Sequence, residues 1–230
     1  MDRELFICTL FHHSEELRPQ GYEVAKTFYN SWLSLNFRSN LIILDNESTC
    51  DYDFVNKDIC KFIRIDNQLE SGAITGAWNR LTREAVNLGA DVIMGFNDDV
   101  ELNNSIKSLA EATTDNNIIY APLTNGLLNH KSWIKQKSDS IKPNYSETVD
   151  SVNGFWISFT SGFWSDKSID GDLFIKSKVK GCFMNDWEGQ ECMMNYWSEQ
   201  YNTKGKIVGD CWIHHTKLRS WKNAKNKYYG

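Results

Sequence analysis

Apolar positions in the first half of the chain alternate between short unbroken runs and helically spaced stripes. Residues 5–10 form a short apolar run and read as a buried strand. Val24, Phe28, Trp32 and Leu35 recur at helical spacing within residues 23–35. Residues 41–44 make a second buried strand that ends at Asp45, and residues 62–65 a third. Ile74, Ala77, Leu81, Ala85 and Leu88 mark the clearest helix, with Gly89 as its stop. Residues 91–96 are the next strand and run into Asn97, Asp98 and Asp99. Residues 104–112 read as a short helix and 118–121 as a strand. This order predicts an α/β fold, a mostly parallel central sheet with helices on both faces.

The second half changes character. Residues 131–150 are polar, include Pro143 and read as one long loop, a length that often belongs to lids and binding loops. Residues 152–160 read as a strand, 191–201 as a helix and 207–213 as a last strand that runs into His214 and His215. A boundary near residue 105 divides one domain into an expected nucleotide-sugar-binding half, 1–105, and an acceptor-binding, catalytic half, 106–230.

Composition narrows the partners. A chain of 230 residues can bury one large core. A net charge of −5 without a basic stripe argues against a nucleic-acid partner, which would have to be drawn by displacing counterions. Nine tryptophans suit a large core or sugar-stacking surfaces. Trp133, Trp156, Trp164 and Trp187 are the candidates for stacking, and no more than about two of them are expected to touch ligand, since most buried tryptophans fill volume. Cys8, Cys50, Cys60, Cys182, Cys192 and Cys211 show neither CxxC nor zinc spacing, which predicts reduced thiols. With no signal peptide at the start and no apolar stretch of membrane-spanning length, a cytoplasmic protein without a transmembrane segment is expected.

In an open parallel sheet, ligands bind beyond the carboxyl ends of the strands. Four predicted strand ends carry polar groups suited to a nucleotide or a metal: Thr9 to His13, Asp45 to Ser48, Asn97 to Asp99, and His214 with His215. Adjacent carboxylates such as Asp98 and Asp99 repel unless a cation or donors lie between them, and hard oxygen ligands suit Mg2+ or Mn2+. The competing reading is a turn leading to a helix cap. A histidine added to an oxygen-rich site favours Mn2+, with zinc the lesser alternative. Asp45 can accept from a ribose hydroxyl or a base N–H, or can close an Asx turn. Asp186, Glu188 and Glu191 cluster at the predicted start of a helix, as simple caps or as the general base for an acceptor hydroxyl.

Taken in order, these segments resemble the GT-A fold, and specifically the inverting family-2 glycosyltransferases, across residues 5–221. Leu41-Ile42-Ile43-Leu44-Asp45-Asn46-Glu47-Ser48 resembles that family's second-strand segment. Gly72-Ala73-Ile74-Thr75-Gly76-Ala77-Trp78-Asn79 resembles its next helix, and Phe96-Asn97-Asp98-Asp99-Val100 its DxD-type motif. Gly154-Phe155-Trp156-Ile157-Ser158 resembles the acceptor-side strand, and Trp212-Ile213-His214-His215 the closing strand with its histidine.

The resemblance implies that Thr9, Phe11, Asp45, Glu47, Asn79, Asn97 and Asp98 hold the nucleotide sugar. It implies that Asp99 and His215 bind Mn2+ or Mg2+, and that Trp156 and Trp187 meet the acceptor. It gives the catalytic base as Glu191, with Asp186 or Glu188 in alternative registers, because Gln190 stands where an acidic residue is usual. Lys217 stands where glycine is frequent. The Gln-x-x-Arg-Trp motif of processive synthases is absent.

The function implied is transfer of a sugar from a nucleoside-diphosphate donor to the hydroxyl of a glycan or other acceptor. The transfer would be metal-dependent, inverting and non-processive. Two rivals remain open: a non-catalytic nucleotide-sugar or glycan-binding protein on the same scaffold, and a sugar-phosphate nucleotidyltransferase. The latter wants a glycine-rich basic loop after the first strand, and the residues from Phe11 to Glu16 are neither.

Overall fold

A computed structural model describes residues 3–16, 18–67, 73–125, 136, 144, 146–149, 152, 156–174 and 202–216. The predicted helix over 191–201 lies outside the described residues, as do Asp186, Trp187, Glu188, Glu191 and Trp133.

The apolar runs form the sheet. β1 (Leu5–Phe11) pairs in parallel with β2 (Asn40–Asn46) on one side and β4 (Val92–Asn97) on the other, and β2 pairs in parallel with β3 (Lys61–Ile65). Side chains alternate strictly across these strands. Phe6 and Cys8 of β1 join one core with Ile42, Leu44 and Ile93, while Leu5, Ile7 and Phe11 join the other with Leu41, Ile43 and Met94. A strand apolar on both sides must be covered on both sides. α1 (Gly21–Leu33) and α3 (Ile106–Ala112) supply Phe28, Tyr29, Ile106 and Leu109 to the second core. α2 (Ala73–Asn87) and α4 (Ser161–Lys167) supply Trp78, Leu81, Ala85 and Phe163 to the first.

Beyond β4 the sheet becomes mixed. β8 (Trp156–Thr160) runs antiparallel to both β4 and β6 (Ile118–Thr124), and β6 pairs in parallel with β9 (Lys204–His215). The parallel character belongs to the first-half strands and to the β6–β9 pair.

Several expectations are corrected. The segment 131–150 is not all loop: β7 (Ser146–Val149) pairs antiparallel with β9. Only Val149 of β7 is buried, so the strand's local polarity hid it. The strand expected from residue 152 is β8 and starts at Trp156. The buried stripe of α1 runs through Ala25, Phe28 and Tyr29, with Trp32 partly buried against it. Val24 instead lines an open cleft of about 280 Å³ with Gln20, Thr27, Val100 and Thr216. Leu88 falls one residue past the end of α2 and is 47% exposed. Gly89 does terminate that helix, in the left-handed region at φ 86°.

Two devices bring distant strand ends together. The register between β6 and β9 jumps from Pro122↔Val208 to Leu123↔Trp212, which re-aims the end of β9. That end then pairs antiparallel with the short β5 (Val100–Glu101), Val100 opposite His215 and Glu101 opposite His214. At β1, the chain turns so tightly into α1 that a Cβ on Gly21 would stand 2.2 Å from the His12 carbonyl oxygen.

Candidate active site

The carboxyl ends of β1, β2 and β4 and the end of β9 form one connected polar layer. Phe11 is the register partner of Asp45. His13 N–H donates to Ser48 Oγ at 3.0 Å, and the His12 ring Nδ1 lies 2.8 Å from the Asn46 carbonyl oxygen. Since a carbonyl only accepts, His12 carries its proton on Nδ1. Burial lowers the His12 pKa, with the Asn46 carbonyl opposing and Arg18 reinforcing the shift.

Asp45 is wholly buried. Its Oδ1 accepts from the Ser48 N–H at 3.1 Å, the local turn that was the competing reading of this motif. Its Oδ2 lies 3.5 Å from Arg64 Nη1. Burial pushes the Asp45 carboxyl up, while the Ser48 hydrogen bonds and the Arg64 charge pull it down. Arg64 Nη2 also donates to the Ser48 carbonyl at 3.0 Å, so the β2 turn is gripped from the neighbouring strand. Glu47, exposed at the tip of that turn, holds a left-handed backbone at φ 60° while its N–H donates to the Ile65 carbonyl at 2.8 Å. A side-chain-bearing residue in that region costs roughly 1–2 kcal/mol and persists only where the surroundings enforce it.

The Asp98–Asp99 pair divides. Asp98 is buried, and both its carboxylate oxygens accept from Arg18, at 2.6 Å from Nη1 and 2.6 Å from Nη2. Arg18 Nη1 also donates to the His12 carbonyl at 2.9 Å. Burial opposes the charge on Arg18, but Asp98 and then Asp99 outweigh it and hold the guanidinium above its ordinary range. Burial pushes Asp98 up and Arg18 pulls it back; the two-point geometry at 2.6 Å is that of an ion pair.

Asp99 faces the other way. Its Oδ2 lies 3.0 Å from His215 Nε2, and its backbone carbonyl accepts from both Thr216 N–H and Thr216 Oγ1 at 2.9 Å. Its Oδ1 is buried and has no hydrogen-bond partner among the described residues. His214 points elsewhere, its ring stacked on Trp212 and 3.9 Å from Glu101.

No group of three His, Cys, Asp or Glu side chains able to hold a metal occurs among the described residues. The fit to a divalent ion therefore rests on Asp99 and His215. A carboxylate whose Oδ1 is buried without a partner among the described residues, and whose Oδ2 lies 3.0 Å from an imidazole nitrogen, is a donor set that Mn2+ accepts.

Other predicted residues are used differently. The Phe11 ring is enclosed by Phe28, Tyr52 and Phe54, with its centroid 5.1 Å from that of Tyr52. Thr9 is likewise buried, its register partners Ile43 and Phe96. Asn97 ends β4 half-buried. The Asn79 amide bonds both ways with the backbone of Phe174, donating to its carbonyl at 2.6 Å and accepting from its N–H at 2.7 Å. Trp164 is partly buried against the first core, and the Trp156 side chain is not among those described.

Arg18, Tyr52 and Arg64 are the residues of this polar layer that sequence reasoning missed. Arg64 carried a signal, a charge inside an apolar strand. Arg18 carried none, one arginine in a polar loop. Tyr52, buried and hydrogen-bonded to Ser48 at 2.9 Å, sits in the fields of both Asp45 and Asp98.

No protein-family model matches the sequence, and no curated protein matches it. Solved structures do. The crystal structure of GalNAc-T7 with UDP, GalNAc and Mn2+ aligns with TM-score 0.64 at 13% identity, over 95% of this chain and 45% of that one. S. aureus TarS 1-349 in complex with UDP-GlcNAc aligns with TM-score 0.60 at 13% identity, over 94% and 59%. The same protein alone aligns with TM-score 0.58 at 12% identity, over 98% and 64%. The chain spans less than two thirds of the length of each of these structures. Identity this low speaks to architecture, and the chain has the GT-A fold.

Proposed function

We propose that this chain is a metal-dependent glycosyltransferase that moves a sugar from a nucleoside diphosphate to an acceptor hydroxyl, non-processively and with inversion. The observation that carries the reading is the meeting of Asp99 and His215 at the strand ends of a GT-A fold, with Asp99 Oδ1 buried and without a partner among the described residues. GalNAc-T7 and TarS, solved with UDP or UDP-sugar, support a nucleotide-sugar donor and make UDP the first nucleotide to test.

In this reading the half up to residue 105 binds the donor. The turn after β2, with Asp45 and Glu47, and the backbone of Thr9 and Phe11 line the nucleoside side. Asp99 and His215 would hold Mn2+ or Mg2+. When bound, that ion neutralises charge on the diphosphate as it leaves. A carboxylate from the acidic segment, Glu191 or alternatively Asp186 or Glu188, takes the proton of the acceptor hydroxyl as its oxygen attacks the anomeric carbon. The new glycosidic bond forms as the bond to the diphosphate oxygen breaks, on opposite faces of the sugar. Trp156 and Trp187 are the proposed acceptor contacts, as flat apolar faces for a sugar ring.

The test is donor hydrolysis or transfer, with and without Mn2+, by the wild-type chain and by Asp99→Ala. Metal-stimulated turnover lost in the variant supports the transferase. Binding of UDP-sugar without any turnover points instead to the non-catalytic binding protein, for which Gln190 in the acidic segment is the motive. Release of pyrophosphate from a nucleoside triphosphate and a sugar phosphate would identify a nucleotidyltransferase.

A further inference from the structure

A second cleft opens at the amino end of the sheet, the end opposite the candidate active site. We infer that this cleft, walled by Arg3, Arg38 and Lys107, is an anion site that takes a phosphate dianion, either free or carried by a small organic molecule. This inference is independent of the proposed function.

The cleft has a volume of about 400 Å³, and Glu4, Leu5, Phe37 and Asn40 complete its lining. Small-molecule sites begin at about that size. Leu5 and Asn40 are the first residues of β1 and β2. Because β1, β2 and β4 run parallel, these ends lie on the sheet edge away from Asp45 and Asp98. Phe37 and Arg38 belong to the connection between α1 and β2, and Lys107 to the first turn of α3.

Polar contacts fasten the walls to one another. Asn36 N–H donates to Asn104 Oδ1 at 2.8 Å, which holds the α1–β2 connection against the chain entering α3. Trp32 Nε1 donates to Ser39 Oγ at 3.1 Å and anchors the same connection to α1. Arg3 Nη2 donates to the Thr113 carbonyl just past the end of α3, and this orients its guanidinium.

Charge selects the ligand. The chain carries a net −5, yet this lining holds three cations and one acid. The acid is Glu4, and both its carboxylate oxygens are engaged. Its Oε2 accepts from Asn40 Nδ2 at 3.0 Å, and its Oε1 lies 3.4 Å from Arg38 Nη2. Arg38 is 82% exposed, and Lys107 Nζ stays 3.9 Å from its neighbour Glu111 with both side chains half exposed. Exposed pairs of this kind hold weakly, so both cations are free to turn to a better acceptor. Guanidinium forks meet phosphate oxygens two at a time, and an ammonium adds a point charge. A compact dianion draws on all three cations where a monoanion does not. Phe37, partly buried against the second core, offers an apolar flank to an organic remainder.

The experiment titrates inorganic phosphate, glycerol 3-phosphate and glycerol into the 15N-labelled full chain, at neutral pH and at ionic strength held constant with NaCl. Backbone 1H–15N shifts locate the binding. Saturable shifts are expected at Leu5, Asn40 and Lys107 with both phosphates and not with glycerol. Tighter binding of glycerol 3-phosphate than of phosphate would identify an organic phosphate as the ligand, and the reverse order the free ion. Arg38→Gln is expected to weaken binding by roughly tenfold, the worth of one charge-assisted pair, and its exposure leaves folding intact. Lys107→Gln is expected to cost about threefold or more. Arg64→Gln, at the other end of the sheet, should stay within about twofold of wild type.

Shifts confined to residues 9–13 and 45–48 would place phosphate in the candidate active site and overturn the inference. Shifts that never saturate, or that NaCl alone reproduces, would reduce the cleft to general charge screening and overturn it too. So would affinity unchanged within about twofold in both Arg38→Gln and Lys107→Gln.

Discussion

His215 Nε2 lies 3.0 Å from Asp99 Oδ2 although 116 residues separate them. The contact exists because β9 is bent at its bulge and then pairs with β5, which sets His215 opposite Val100. A cation held by Asp99 and His215 would replace that hydrogen bond, since imidazole must offer a lone pair rather than a proton to a metal.

Asp99→Ala is expected to abolish the Mn2+-dependent part of UDP binding, and His215→Ala to weaken it by about tenfold or more. Isothermal titration calorimetry with UDP, with and without Mn2+, measures both. Unchanged affinity in Asp99→Ala would remove the metal from this site.

Glu191→Gln should leave donor binding intact and remove transfer, because a general base acts only in the chemical step. If Asp186→Asn has that effect and Glu191→Gln does not, the register of the acidic segment shifts to Asp186. Product configuration, read from the anomeric coupling constant, is expected to be inverted; retention contradicts a single-base displacement.

His12 links stability to pH. Burial lowers its pKa, so the folded protein keeps the ring neutral in a range where the unfolded chain, with an ordinary value of about 6.5, already binds a proton. In that range the unfolded state holds more protons, and stability rises with pH. Acidification below about pH 6.5 should therefore destabilise the wild type by up to about 1.4 kcal/mol per pH unit from this one group. His12→Gln, which can still donate to the Asn46 carbonyl, should show a shallower slope. Urea unfolding between pH 7 and pH 5, roughly the span of a histidine switch, measures the difference. Parallel slopes would show that His12 titrates alike in both states.

Asn79→Ala removes both hydrogen bonds to the Phe174 backbone, in a buried setting. The expected cost is about 1–3 kcal/mol of stability, measured by chemical denaturation. UDP affinity of the folded variant should stay within about twofold if the amide acts only on Phe174. A loss of about tenfold or more would return Asn79 to the donor, as the family resemblance implies.

Much of the scaffold was legible because periodicity reports burial directly. Unbroken apolar runs at residues 5–10, 41–44 and 91–96 became the parallel strands β1, β2 and β4, covered on both faces. Asp45, Asp99 and His215 were legible because polar groups that end apolar strands must lie at the sheet's carboxyl edge. β7 was not, since a strand with one buried residue shows no alternation of its own and forms only because β9 offers it hydrogen bonds. The resemblance implies donor contacts from Phe11 and Asn79; in the structure the Phe11 ring is committed to an aromatic cluster and the Asn79 amide to a backbone, partnerships that only packing decides.

The order of hydrophobic and polar residues was thus sufficient for the architecture and for which strand ends could carry chemistry, because both depend on what each residue does with water. Partnership was beyond it. Whether Asp98 meets Arg18, 80 positions away, or Asp99 meets His215 depends on which turns the packed sheet brings within about 3 Å, the reach of a hydrogen bond. Only the tertiary structure decided that, by the strand order, the bulge in β9 and the tight turn before Gly21.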